Sequence, residues 1–96
     1  MNLNYGAFKA WLESFPADAA VGQRRVLCDC PLARFLKATE SISDAEVLSS
    51  IIFYYKKDQP YQFMLNTPTW AYNFIKTVDI DRSTTEITAA EALSYL

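Results

Sequence analysis

A chain of 96 residues, 51% hydrophobic and 15% aromatic, has room for one domain over residues 1–96 with a thin but real core, and its apolar content excludes intrinsic disorder. A formal charge of −2 and a pI near 4.9 offer no strongly basic surface for duplex DNA. No apolar run reaches the ~18–20 residues of a bilayer span.

Residues 3–15 carry Tyr5, Phe8, Leu12 and Phe15 at spacings of three and four, with Trp11 alongside, which predicts an amphipathic helix ended by Pro16. Lys9 and Glu13 lie four apart on its other face, where they can pair. Residues 16–29 read as an irregular connection, with Gly22 as a turn and Val26-Leu27 as a short strand. Asp29-Cys30-Pro31 opens a second helix: proline suits the first helical position, and Asp29 or Cys30 caps it. Leu32, Phe35 and Leu36 form its buried stripe, Arg34 and Lys37 face outward, and the helix ends near Thr39.

Residues 43–55 fit two patterns. Ser43 and Glu46 match a capping box ahead of a helical stripe of Leu48, Ile51, Ile52 and Tyr55. Ile51 to Tyr55 is also a dense run of strand formers, and Tyr61 to Leu65 is another. The polar stretch Lys56-Lys57-Asp58-Gln59-Pro60 between them predicts a hairpin, and 43–50 stays open between helix and strand. Thr67-Pro68 starts a third helix bearing Trp70, Phe74, Ile75 and Val78, and residues 79–83 break it. Thr88 and Glu91 form a capping box for a last short helix over 89–93. The expected fold class is α+β, with about four helices packed on a small antiparallel hairpin or sheet.

The chain has no histidine, so it lacks the commonest general acid–base group and any Ser–His or Cys–His pair. Two glycines, Gly6 and Gly22, exclude a phosphate-cradling loop. A non-enzyme without cofactor or metal is expected. Cys28 and Cys30 stand too close to staple the fold as a structural disulfide. This cysteine usage, and an N-terminal stretch without the basic-then-apolar order of a secretion signal, predict a reducing cytoplasm. Cys28 and Cys30 are candidate reactive thiols as a Cys-x-Cys redox pair, in which Cys30 gains a stabilised thiolate at a helix N-terminus and Asp29 opposes that charge; as small buried hydrophobes they are inert. Asp79, Asp81 and Glu86 offer carboxylates to a hard cation, or form a solvated loop without the glycine and ligand number of a calcium site. Tyr54, Tyr55, Tyr61, Phe63 and Trp70, beside Lys56 and Lys57, suit core packing, a protein-binding patch or a stacking platform for single-stranded nucleic acid.

Cys30-Pro31-Leu32-Ala33-Arg34-Phe35-Leu36 after an aromatic N-terminal helix, then Trp70 to Asp79 and Thr88 to Leu93, resembles small uncharacterised bacterial and phage proteins with a Cys-Pro-Leu-Ala-Arg-aromatic-Leu segment. The resemblance implies a small stand-alone domain and transfers no activity.

The expected function is a non-catalytic protein-binding module, such as an accessory factor or an inhibitor of a host defence complex encoded by a phage or mobile element. Its partner is another protein, or a second copy of the chain, and no membrane. The candidate contact residues are Tyr54, Tyr55, Lys56, Lys57, Tyr61 and Trp70. The alternatives are a single-stranded nucleic-acid-binding domain that adds Arg24 and Arg25 to these, and a thiol-dependent redox protein using Cys30.

Overall fold

The computed structural model describes residues 3–81 and 83–96. In chain order it contains α1 (Tyr5–Glu13), β1 (Ala20–Gln23), α2 (Pro31–Thr39), β2 (Ile42–Val47), β3 (Ile51–Lys56), β4 (Gln62–Asn66), α3 (Thr69–Ile80), β5 (Glu86–Thr88) and α4 (Ala89–Ser94). Strands β2-β3-β4 form one antiparallel meander, and β1 pairs with β5 in a second, two-stranded sheet. The α+β class expected from the sequence holds. No helix among the described residues is long and apolar enough to cross a membrane.

Helix α1 starts at Asn4, whose side-chain oxygen accepts the Ala7 N–H at 2.9 Å. Its apolar face buries Phe8 and Leu12 completely. Phe8 stands among Phe35, Phe74, Trp70 and Trp11, with ring centroids 5.2–6.1 Å away. Full burial of such a ring contributes about 2–3 kcal/mol. Phe15, expected on the same stripe, lies beyond the helix end, exposed and edge-on to Trp11. Lys9 and Glu13 form no ion pair among the described residues.

The connection 16–29 departs from expectation. Gly22 is no turn; it lies inside β1, opposite Ile87 of β5. A β-carbon there would stand 2.5 Å from Pro31 N and 2.8 Å from the Cys30 carbonyl carbon, so β1 can cross the start of α2 only with a hydrogen at this position. Val26 and Leu27 are not a strand, although the Leu27 carbonyl accepts the Val47 N–H at 2.9 Å and ties the loop to β2.

Pro31 takes the first position of α2 as predicted, but neither candidate caps through its side chain. Cys30 occupies the cap position without a side-chain hydrogen bond. Asp29 instead accepts from Arg34 at 2.7 and 3.0 Å and from Gln23 Nε2 at 2.6 Å. The Arg34 guanidinium is the main reason that the Asp29 carboxyl titrates below its usual range.

The stretch left open at 43–50 is resolved by β2, which pairs with β3 and buries Ile42, Ala45 and Val47 against α2. The Ser43–Glu46 capping box is therefore not made. Helix α3 begins after Pro68 and runs to Ile80, two residues past the last apolar position of the predicted stripe. The Thr67 hydroxyl, just before this start, is buried without a hydrogen-bond partner and does not cap the helix. Of the residues predicted to break the helix, Arg82 lies outside the described residues. The Thr88–Glu91 capping box of α4 is formed as predicted.

Arg24, immediately after β1, is the buried charge among the described residues. Its guanidinium donates to the Val78 carbonyl at 2.8 Å, to Thr84 Oγ1 at 3.2 Å and to Glu91 Oε2 at 2.8 Å, with Asp81 Oδ2 at 3.7 Å. The Tyr95 hydroxyl accepts at 3.4 Å, and its ring lies 5.7 Å away. Desolvation opposes the charge, but Tyr95, Asp81 and Glu91 hold the group protonated above its ordinary range. The Val78 carbonyl belongs to the last turn of α3, where carbonyls lack helical partners and cations are favoured.

Replacing Arg24 by Ala leaves a cavity beside the Val78 carbonyl and the Glu91 carboxylate without its cation, and should cost about 3 kcal/mol in urea denaturation. Gly22→Ala must separate β1 from the start of α2, and should cost about 2 kcal/mol by the same measurement. A loss well below 1 kcal/mol in either variant would contradict the packing described.

Candidate functional site

Register divides the three-stranded sheet into two unlike faces. Tyr54 pairs with Ala45 and Phe63, and Ile52 with Val47 and Leu65. These side chains share the face turned toward the helices, where Ile52, Tyr54, Ala45 and Val47 are buried. On the other face Phe53 lies between Glu46 and Met64, and Tyr55 between Asp44 and Gln62. Ile51 stands opposite Asn66 on the same side. None of these outer residues belongs to the buried core, and Met64 is 66% exposed. The outer face is thus an apolar and aromatic centre of Ile51, Phe53, Tyr55 and Met64, with two carboxylates along its β2 flank.

The residues singled out from the sequence are divided by this alternation. Tyr55 lies on the outer face. Tyr54 is turned into the core, its ring stacked 5.4 Å from Phe63, so it is no surface anchor. Trp70 is likewise partly buried, edge-on to Tyr5 and tilted against Phe8. Lys56 holds its ammonium 4.7 Å over the Phe63 ring on the inner side. Lys57 is exposed in the β3–β4 turn, and Tyr61 is 67% exposed just before β4. Ile51, Phe53 and Met64 were missed as contact residues. The signal available was parity: once Ile52 and Tyr54 are assigned to the core, their strand neighbours must face away from it.

The Arg24–Arg25 pair serves the fold. Arg24 is buried, and Arg25, at φ 61°, donates its backbone N–H to the Asp79 carboxylate and its guanidinium to the carbonyls of Asp79 and Asp81. Asp81 also accepts from the Ser83 N–H and hydroxyl, which with the nearby arginines keep its carboxyl below the usual range. The two aspartates thus cap and close the end of α3. No group of three metal-ligating side chains comes together among the described residues.

Cys28 is exposed, and Cys30 is partly covered beside a small apolar cleft between the 25–27 loop and α3. The cleft, lined by Leu27, Pro31, Phe74 and Val78 among others, has a volume of about 20 Å³, room for a single water. Burial pushes the Cys30 thiol up to about 11, against the smaller opposing effect of the Leu32 and Ala33 backbone N–H groups. This is the reverse of the shift that a helix N-terminus alone would give. A wider groove of about 250 Å³ beside Glu40, Ser41, Ile42, Tyr54 and Lys56 is open and shallow.

No protein-family model, no curated protein and no solved structure matches the chain.

Because the thiolate is the reacting species, Cys30 should be nearly inert near neutral pH while Cys28 reacts freely. Alkylation of the native protein followed by peptide mapping should modify Cys28 first, with Cys30 at least about tenfold slower until denaturant is added. Equal rates in the native state would contradict the assigned environment.

Proposed function

We propose that the protein is a non-catalytic binding module that docks a protein partner on the outer face of the β2-β3-β4 sheet. The observation that carries this is the row Glu46–Phe53–Met64 with its neighbour Asp44–Tyr55–Gln62, an aromatic and apolar centre on a sheet face that contributes nothing to the buried core. Large apolar and aromatic side chains grouped on one exposed face are the usual composition of an interface centre. Asp44 and Glu46 select the partner's chemistry: an apolar protein surface with Lys or Arg along one side.

The same carboxylates weigh against single-stranded nucleic acid, whose phosphates they repel, and Arg24 and Arg25 are already engaged within the fold. The raised pKa of Cys30 weighs against thiol chemistry at that position. Action as an inhibitor or accessory factor, of phage or other origin, is compatible with a small module that works by occupying a surface.

A photoreactive phenylalanine at position 53 should crosslink a partner in extract of the native cell, and adding Tyr55→Asp should lower that yield at least about tenfold while the melting temperature stays near wild type. Equal yield from a probe at the exposed α2 position 38, or a yield indifferent to Tyr55→Asp, would refute the assignment of this face.

A further inference from the structure

We infer that β4 is a self-pairing edge, through which two copies of the chain join antiparallel about a twofold axis at Met64. The Thr67 N–H donates to the Ser50 carbonyl at 3.1 Å, and Asn66 lies opposite Ile51. Alternation along an antiparallel pair then assigns the backbone groups of Phe63 and Leu65 to β3 and leaves those of Gln62, Met64 and Asn66 at the free edge. The opposite edge of the sheet is protected. Strand β2 has an irregularity between Ile42 and Asp44, its Val47 N–H is taken by Leu27, and it carries Asp44 and Glu46. Strand β4 carries no charge and no proline.

The occupant follows from the sequence around that edge. Pro60-Tyr61-Gln62-Phe63-Met64-Leu65-Asn66-Thr67-Pro68 is a chemical palindrome centred on Met64. Set against a second copy, Met64 exchanges both backbone hydrogen bonds with itself, and Gln62 does so with Asn66, amide side chain beside amide side chain. Phe63 packs against Leu65, and the exposed Tyr61 ring against Thr67, in the closer non-hydrogen-bonded pairs. Pro60 and Pro68 fall in the same alternation as the free groups, at equal distance from Met64. They lack an N–H, so they end the ladder symmetrically and hold its register. Such an interface is isologous and closed, and it joins two three-stranded sheets into one. The paired strand is only five residues long, so the dimer should form and dissociate with concentration.

This inference concerns the strand edge and is separable from binding on the outer face. Sedimentation of the protein from micromolar to millimolar concentration should show a reversible monomer–dimer equilibrium. Hydrogen exchange at Gln62, Met64 and Asn66 should slow as the dimer forms, while exchange at Phe63 and Leu65 stays unchanged. Met64→Lys opposes two ammonium groups across the axis and should weaken dimerisation at least about tenfold; mixing it with Met64→Glu should restore a heterodimer. A monomer throughout the range, a dimer indifferent to Met64→Lys, or slowed exchange elsewhere than these amides would overturn the edge assignment. If Met64→Lys fails to fold, the exchange pattern of the wild type decides. A wild-type protein that stays monomeric while crosslinking from position 53 persists removes only this inference, and a wild-type dimer without that crosslinking removes only the outer-face reading.

Discussion

The buried guanidinium of Arg24 is the constraint around which the two ends of the chain are assembled. It sits immediately after β1 and reaches the last turn of α3, Asp81, Thr84, α4 and Tyr95. A charge out of contact with water is tolerable only if its donors are met, and each of these partners lies more than fifty positions away in sequence. The ladder of β1 with β5, the N–H of Arg24 bonded to the Thr85 carbonyl and the Arg25 contacts at Asp79 and Asp81 all converge on the same corner. Glu91 serves twice there: one carboxylate oxygen completes the capping box of α4 and the other receives Arg24. The cap of the last helix and the closure of the fold are therefore one network, and changes at either should not be additive.

With the ends locked together, the middle of the chain is left to form a sheet with too few helices to cover both its faces. Helix α2 packs on β2, and Phe8 of α1 meets aromatic rings from both α2 and α3. A domain this small has a limited core, and an antiparallel sheet can be stable with one face packed. The outer face and the β4 edge are the surfaces left over from this packing. They carry large apolar side chains where solvation alone would favour polar ones, which is why they support a binding role. The apolar cleft at Cys30, by contrast, is too small for a ligand and belongs to the seam between the 25–27 loop and α3.

Much of this could be read from the residues. The helices announce themselves through apolar spacing and through local punctuation, as with Pro31 at the start of α2 and Thr88–Glu91 at the start of α4, because caps and helical stripes are interactions within a few residues. The hairpin of β3 and β4 was visible for a similar reason: two runs of strand formers flank one short polar turn. Strands β1 and β5 were not visible. They are four and three residues long, and each exists only because the other lies beside it after the chain has closed. The start of β2 carries a helix-start pattern, and only its pairing with β3 makes it a strand.

The candidate site divides along the same line. Composition alone determined that the chain lacks imidazole and a phosphate loop, and that aromatic residues cluster near the hairpin. Tertiary structure decided which of those aromatics are available. A strand alternates with a period of two, so Tyr54 and Tyr55 are equivalent until one face is assigned to the core, and a shift of one residue would exchange them. It likewise decided that Arg24, by type a surface residue, is the buried hub, because the partners that make its burial affordable meet only in the folded chain.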